Sequence, residues 1–138
     1  MAHALYGYDG PCRNIHGHTY TLNVTLIGKI FSQADHPKDG MVIDFSEFKK
    51  SVTEHVISKL DHSLVLNVHS PHADLPDLKR SFERLNYVPY QPSCENMLID
   101  FQERIALLLP AGIFIHHLKL QETAGSFAEW YQEDNNLN

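Results

Sequence analysis

Residues 16–26 alternate strictly between two kinds of side chain, and this pattern constrains the fold more than any other part of the 138-residue chain. If the segment is extended, one of its faces carries His16, His18, Tyr20, Leu22, Val24 and Leu26. The opposite face carries Thr19, Thr21, Asn23 and Thr25. Such a segment is typical of a strand that packs one side of a sheet on a core. We expect this strand to cover about residues 16–30, with two imidazoles at the start of its apolar face.

The two imidazoles are candidates for metal ligands. Side chains two residues apart on a strand lie roughly 6.5–7 Å from each other, so His16 and His18 can tilt onto one ion. With His3 upstream and Cys12 four residues before His16, the set predicts a catalytic zinc site, because three histidines leave a fourth position open. The absence of a Cys-x-x-Cys pair argues against a structural zinc knuckle. The alternative is that His-Gly-His belongs to a turn and that its imidazoles are only hydrogen-bonded.

Length and composition exclude several classes of protein. A chain of 138 residues fits one domain, which we expect to span 1–138. The formal net charge of −6 gives no basic surface for nucleic acid. No apolar run approaches 18 residues and the N-terminus does not resemble a signal peptide, so we expect no membrane insertion. The two cysteines, Cys12 and Cys94, fall in different predicted elements, and we expect a reducing, cytoplasmic location.

Helical periodicity marks two segments. Asp44, with Glu47 three residues later, has the form of a capping box before a helix that ends at Leu60-Asp61-His62. Ser93 follows Pro92 and is the expected N-cap of a second helix, which Pro110 and Gly112 end. Met41-Val42-Ile43 is predicted to form a short extended run, and the proline-rich stretch 68–92 is predicted to be a long, partly structured connection.

Two more strands follow, at about 113–123 and 126–131, and the order of elements predicts an α+β fold. In the first of these strands Phe114, Leu118, Leu120 and Glu122 are expected on one face, with Lys119 and Gln121 on the other. So few strands leave open sheet edges in a monomer, and pairing between subunits would cover them. We therefore expect a homo-oligomer.

Three further sites each allow two interpretations. Glu122, on an apolar face, is either a strand-end residue that reaches solvent or an anchor that accepts two N–H bonds from a flat heterocycle. Asp61-His62 is either a helix C-terminal cap or a carboxylate-oriented imidazole that assists a base. Cys12 is either an inert thiol or a base beside the metal.

Six motifs in order resemble the 6-pyruvoyl-tetrahydropterin synthase / 6-carboxytetrahydropterin synthase family, over nearly the whole chain. They are Ala2-His3, Cys12-x-x-x-His16-Gly17-His18, Gly40-Met41-Val42-Ile43-Asp44-Phe45, Leu60-Asp61-His62 followed by Leu66-Asn67, Pro92-Ser93-Cys94-Glu95-Asn96, and Glu122-Thr123. Each motif is a modest match by itself, but all of them in the right order are highly specific.

The resemblance implies a tunnelling fold, an antiparallel sheet with two helices on one face whose subunits close into a barrel as a trimer or a dimer of trimers. By the same resemblance, the Zn²⁺ ligands are His3, His16 and His18, the catalytic residues are Cys12 as base with Asp61 and His62, and the substrate-binding residues are Glu122, Ser93 and Glu95. The implied substrate is a pterin triphosphate, a small molecule.

The three-residue gap between Cys12 and His16 resembles the bacterial 6-carboxytetrahydropterin synthase branch, in the route to queuosine. That branch converts 7,8-dihydroneopterin triphosphate to 6-carboxy-5,6,7,8-tetrahydropterin, with loss of triphosphate and acetaldehyde. The alternatives are a 6-pyruvoyl-tetrahydropterin synthase and a non-catalytic oligomer that binds pterin or metal. The sequence departs from the family pattern where only Met1 and Ala2 precede His3, in place of a whole strand, and where Ser93 replaces the commoner threonine.

Overall fold

Two sheets and two main helices build the fold, in a computed structural model that describes residues 1–135. The strands are β1 (Ala2–His3), β2 (His16–Gly17), β3 (Thr21–Gly28), β4 (Leu64–Asn67), β5 (Leu85–Val88), β6 (Ile113–Thr123) and β7 (Ser126–Tyr131). The helices are α1 (Phe45–Val52), α2 (Ser58–Leu60), α3 (Leu78–Ser81), α4 (Cys94–Ala106) and α5 (Gln132–Asn135). A π-helical segment, Thr53–Ile57, joins α1 to α2.

The sheet with the longer strands is antiparallel and has the order β3-β6-β7. The second sheet is mixed, in the order β2-β1-β4-β5, and its β1–β4 and β4–β5 pairs are parallel. The α+β class is therefore confirmed, although parallel pairing accompanies the expected antiparallel arrangement.

The main core lies between the antiparallel sheet and two long helical segments, the continuous stretch 45–60 and α4. Its buried members come from the π-helical segment, from α4 and from β6, namely Val56, Met97, Leu98, Phe101, Ile105, Ile115, Leu118 and Leu120. A smaller core of Ala4, Leu64, Leu66 and Leu78 lies against the mixed sheet. Two helices therefore cover one face of the antiparallel sheet, as predicted.

Both predicted helix starts are capped as expected. The Asp44 carboxylate accepts from the backbone N–H groups of Ser46 and Glu47, and the Ser93 hydroxyl accepts from that of Asn96. The Glu47 carboxylate pairs with Lys38, so the reciprocal half of a capping box does not form. The strands at 113–123 and 126–131 are also confirmed.

Two sequence-based expectations are wrong, and the partly structured connection over 68–92 proves to contain a strand. The strand expected over 16–30 is interrupted at 18–20, because β2 pairs in the mixed sheet and β3 in the antiparallel one. Residues 41–43 form no strand: Gly40 and Met41 bond back to Phe31, and Val42 and Ile43 lie in a bend. The connection over 68–92 contains β5, which extends the mixed sheet beside β4.

A β-bulge also changes the expected faces of β6. The register with β3 shifts between Thr25 and Leu26, and the extra residue on β6 is His116. Ile115 is buried in consequence, while Phe114, expected in the core, is 54% exposed. Leu118 and Leu120 keep their predicted inward positions, and Glu122 continues that face toward the end of the strand.

None of the helices within residues 1–135 combines the length and the apolar character needed to cross a lipid bilayer.

Candidate metal centre and active site

Strand pairing brings the three predicted metal ligands together. His3 lies directly opposite His16 in the antiparallel β1–β2 pair, so the two side chains are cross-strand neighbours on one face. His18 lies two residues beyond His16, and its N–H donates to the Met1 carbonyl at 3.1 Å. One ring nitrogen of each histidine lies within 4.8 Å of the others.

Backbone carbonyls orient two of these imidazoles. His3 Nδ1 donates to the Pro92 carbonyl at 2.6 Å, and His16 Nδ1 donates to the Asn14 carbonyl at 2.7 Å. Because a carbonyl only accepts, each Nδ1 carries the proton and each Nε2 presents a lone pair. Hydrogen bonding of the second ring nitrogen to a carbonyl is the usual outer support of a metal-binding histidine.

The burial and the hydrogen bonds of the three histidines suit a metal ion. His16 Nε2 is buried and makes no hydrogen bond to the described residues. A buried nitrogen without a partner is costly, and a metal ion would supply the missing partner. His3 is 1% exposed, and this burial lowers its pKa, which favours the neutral imidazole that can bind a metal.

Glu122 lies beside this cluster. Its Oε1 is 3.4 Å from His3 Nε2 and 3.9 Å from His18 Nε2. The Tyr20 hydroxyl donates to the same oxygen at 2.6 Å and lies 3.3 Å from His3 Nε2. Tyr20 therefore holds the carboxylate beside the cluster, where the Glu122 side chain is still partly exposed.

Tyr20 is a residue of the site to which the sequence analysis gave no role. Burial raises its pKa most, and its bond to Glu122 and the negative charges of Glu122, Cys94 and Cys12 raise it further. The hydroxyl thus stays protonated and continues to donate to Glu122. The signal that could have found it was its spacing of two residues from His18 on the same strand face.

Cys12 lies in a 3₁₀ turn, Pro11–Arg13, in the loop between β1 and β2. The side chain is partly exposed, and the Cys12 carbonyl accepts from the Leu5 N–H at 2.9 Å.

Asp61 and His62 occupy the turn after α2. Asp61 Oδ1 lies 3.0 Å from His62 Nδ1, and both side chains are exposed. The last helix carbonyls are bonded by other groups, Ser58 by Arg84, Lys59 by Asn86 and Leu60 by Ser63. Asp61 is also the C-cap residue of α2, and His62 follows it with a φ of 54°, so the pair has the position of the capping alternative.

A cavity of about 300 Å³ joins this pair to the metal cluster. Its lining includes His18, Tyr20, Leu60, Asp61 and His62. Cys12 does not line it, and within residues 1–135 no hydrogen bond links Cys12 to Asp61 or His62. The chain thus brings His18, Tyr20, Asp61 and His62 around one cavity, and Cys12 lies outside its lining.

Ser93 and Glu95 are placed less directly. The Ser93 hydroxyl is engaged as the cap of α4, and Glu95 is exposed in the first turn of that helix. Cys94 between them is buried, and its thiol donates to the Leu120 carbonyl at 3.2 Å.

A larger groove of about 1060 Å³ lies at the far end of β3 and β6. Its lining includes Ile30, Phe31, Met41 and Phe114, and none of the three clustered histidines belongs to it. The smaller cavity is the better candidate for chemistry, because it adjoins the histidine cluster through His18 and is also lined by Asp61 and His62.

The chain resembles known proteins over most of its length. A model of the family described as 6-pyruvoyl tetrahydropterin synthase matches residues 1–133. The chain is 33% identical to the 6-carboxy-5,6,7,8-tetrahydropterin synthase of Haemophilus influenzae, over 96% of this chain and 92% of that protein. It is 28% identical to the 6-pyruvoyl tetrahydrobiopterin synthase of Dictyostelium discoideum, over 90% of this chain and 76% of the relative.

The fold is also that of a solved structure. The Plasmodium falciparum 6-pyruvoyl tetrahydropterin synthase superposes with a TM-score of 0.67 at 23% identity, covering 95% of this chain and 88% of that one. With the match of the family model along nearly the whole sequence, these likenesses show that the chain belongs to the 6-pyruvoyl tetrahydropterin synthase family.

Proposed function

We propose that this chain is a zinc-dependent 6-carboxytetrahydropterin synthase. It converts 7,8-dihydroneopterin triphosphate and one water to 6-carboxy-5,6,7,8-tetrahydropterin, triphosphate and acetaldehyde, a step in the route to queuosine. The observation that carries the proposal is the convergence of three imidazole nitrogens, one of them buried without a partner, next to the Glu122 carboxylate.

His3, His16 and His18 hold the metal ion in this proposal. Three neutral imidazoles with a fourth position open are the ligand set of a catalytic zinc site. When bound there, zinc would act as a Lewis acid on the adjacent hydroxyls of the substrate side chain and acidify the neighbouring C–H bonds.

Glu122 binds the pterin ring. A carboxylate accepts two N–H bonds from a flat heterocycle in a bidentate arrangement, which fixes the orientation of the ring. Tyr20 supports this role, since its hydroxyl holds Oε1 at 2.6 Å. Ser93 and Glu95 complete the substrate-binding set by family resemblance, with Ser93 also capping α4.

Cys12 acts as the base that moves protons on the substrate side chain, and Asp61 with His62 assists it. Positioned proton transfer of this kind is worth a factor of about 10²–10⁴ in rate. Within one chain Cys12 does not contact the other two, whereas Asp61 and His62 line the cavity beside His18.

The chain is proposed to work as a homo-oligomer, a trimer or a dimer of trimers closed into a barrel. Strands β3 and β7 are the two edges of the antiparallel sheet within residues 1–135, and edges of this kind pair readily between subunits. The exposed apolar side chains of the large groove, Ile30 and Phe31 among them, also favour burial against a partner. Light scattering at micromolar protein tests this, and a monomeric mass would contradict it.

Product identification tests the activity. The purified chain, loaded with zinc, is incubated with 7,8-dihydroneopterin triphosphate, and acetaldehyde and the pterin product are measured. Acetaldehyde in step with triphosphate supports the proposal. A pyruvoyl product would instead assign the activity of the Dictyostelium relative's name. Binding of zinc or pterin without triphosphate release would indicate a non-catalytic oligomer.

A further inference from the structure

The segment Gln91–Pro92, just before α4, contacts both the metal-ligand strand and the loop that carries Cys12. The Pro92 carbonyl accepts from His3 Nδ1 at 2.6 Å. The Gln91 side chain, one residue earlier, bonds to Tyr6 in the loop between β1 and β2. The two contacts come from adjacent residues, so the distance between their targets is set by one short piece of backbone.

The Gln91 side-chain amide forms two hydrogen bonds with the backbone of Tyr6. Its Oε1 accepts from the Tyr6 N–H at 3.2 Å, and its Nε2 donates to the Tyr6 carbonyl at 2.6 Å. A side-chain amide that meets both groups of one residue imitates the pairing of a neighbouring strand. It therefore fixes the position and the rotation of that residue together.

From Tyr6 the restraint reaches Cys12 through one more bond. The N–H of Leu5 donates to the Cys12 carbonyl at 2.9 Å and closes the loop between β1 and β2. Since Leu5 and Tyr6 are consecutive, a shift of Tyr6 moves the partner of Cys12 directly.

The segment is itself anchored to a rigid helix. Asn96 Nδ2 donates to the Gln91 carbonyl at 3.0 Å, the Ser93 hydroxyl caps α4, and Pro92 is fully buried. A reference point held by a packed helix transmits position better than a surface loop does.

We propose that Gln91 is a positioning residue, which sets Cys12 relative to His3 through the backbone of Tyr6. The inference rests on the proposed function in one respect, the role of Cys12 as base. Gln91 does not touch the described metal ligands through its side chain, so its effect should fall on the proton-transfer step and not on metal binding.

The test compares the full-length, zinc-loaded variants Gln91→Leu and Gln91→Glu with wild type. The leucine removes both hydrogen bonds at nearly constant size. The glutamate keeps the acceptor but places a carboxylate oxygen against the Tyr6 carbonyl. Gln102→Leu is the control, because Gln102 lies on α4 and makes no side-chain hydrogen bond to the described residues. The second variant keeps the test valid if the first does not fold.

Three quantities are measured: zinc per chain, kcat and KM for triphosphate release, and the rate of Cys12 alkylation by iodoacetamide. Misplacement of a reacting group by about 1 Å costs on the order of 10²-fold, so we expect kcat to fall at least about 10-fold in both Gln91 variants. Zinc content and KM should match wild type, and Cys12 should react faster because its loop is loosened. Gln102→Leu should resemble wild type in all three.

An unchanged kcat in both Gln91 variants would overturn the proposal. So would a fall in kcat that follows a loss of zinc, because the segment would then act only through His3. If wild type itself releases no triphosphate, the proposed function fails, and the alkylation rate decides alone. Faster labelling of Cys12 in the Gln91 variants supports the positioning role, and an equal rate refutes it.

Discussion

Replacement of His16, whose Nε2 has no hydrogen-bond partner, should abolish the stabilisation by metal without destabilising the metal-free chain. In the metal-free chain His16 Nε2 is buried without a hydrogen bond, a condition that costs about 1–3 kcal/mol. The change His16→Leu removes this cost. It also removes the 2.7 Å bond from Nδ1 to the Asn14 carbonyl, which contributes about 1 kcal/mol. The two effects oppose each other, so without metal the free energy of unfolding of the variant should lie between that of wild type and about 2 kcal/mol above it.

Zinc changes this balance. A ligand at 100 times its dissociation constant stabilises the folded state by about 2.7 kcal/mol. For a chain of this length each kcal/mol shifts the melting temperature by about 3–5 °C, so wild type should gain about 10 °C. His16→Leu lacks one of the three convergent nitrogens and should gain little.

Thermal unfolding with EDTA and with zinc, at one protein concentration, measures both effects. His55→Leu is the matched control, because His55 also donates from Nδ1 to a backbone carbonyl, that of Ser51 at 2.9 Å, but lies outside the cluster. This control should keep the full gain from zinc. An equal gain in His16→Leu and wild type would refute the assignment of the site.

Four further outcomes are expected. Cys12→Ala should lower kcat by about 10²–10⁴ with zinc content intact, measured by triphosphate release and metal analysis; full activity would contradict the role of base. Tyr20→Phe should raise KM by roughly 10-fold with little change in kcat, because a charged hydrogen bond to Glu122 is worth about 1.5–3 kcal/mol; steady-state kinetics would show an unchanged KM if the bond is unimportant. Ser93→Ala should cost about 0.5–2 kcal/mol in thermal unfolding, and Ser93→Asp should restore most of it, because aspartate also caps helices. At pH 8 iodoacetamide should leave Cys94 unlabelled, since burial raises its pKa to about 11 and the thiolate forms only as the pH approaches that value; peptide mapping that finds it labelled would contradict its burial.

Local signals in the sequence predicted the helices and the last two strands well. Asp44 and Ser93 are caps in the structure because each short polar side chain precedes a helical apolar stripe, which is a relation between near neighbours. The strand bounds at 113–123 and 126–131 were readable for a similar reason, since a turn at Gly125 separates two extended runs.

Features that depend on distant pairing were not readable. The bulge at His116 arises from the register between β3 and β6, and nothing in β6 alone marks it. The break at 18–20 arises because β2 and β3 pair with different sheets. Strand β5 was read as part of a connection because its strand state depends on pairing with β4.

In the candidate site, too, only the relations between neighbouring residues could be predicted from the sequence. The pairing of His16 with His18 follows from alternation along one strand, but the position of His3 depends on its register with His16. The contacts of Glu122 with Tyr20 and of Gln91 with Tyr6 join residues about 100 and 85 positions apart, and no local pattern announces them.

Strand β1 is only two residues long, yet it is hydrogen-bonded on both sides, to β2 and to β4. So short a segment has no stability of its own and exists only while both neighbours hold it. Because His3 lies in β1 and His16 in β2, an ion bound by the imidazoles would join these two strands directly. Through the hydrogen bonds of β1 it would also stabilise the pairing with β4. Hydrogen exchange at the amides of Ala2, Gly17 and Leu64 should then slow together when the metal binds. Conversely, displacement of β2 or β4 would weaken metal binding before it unfolded the chain.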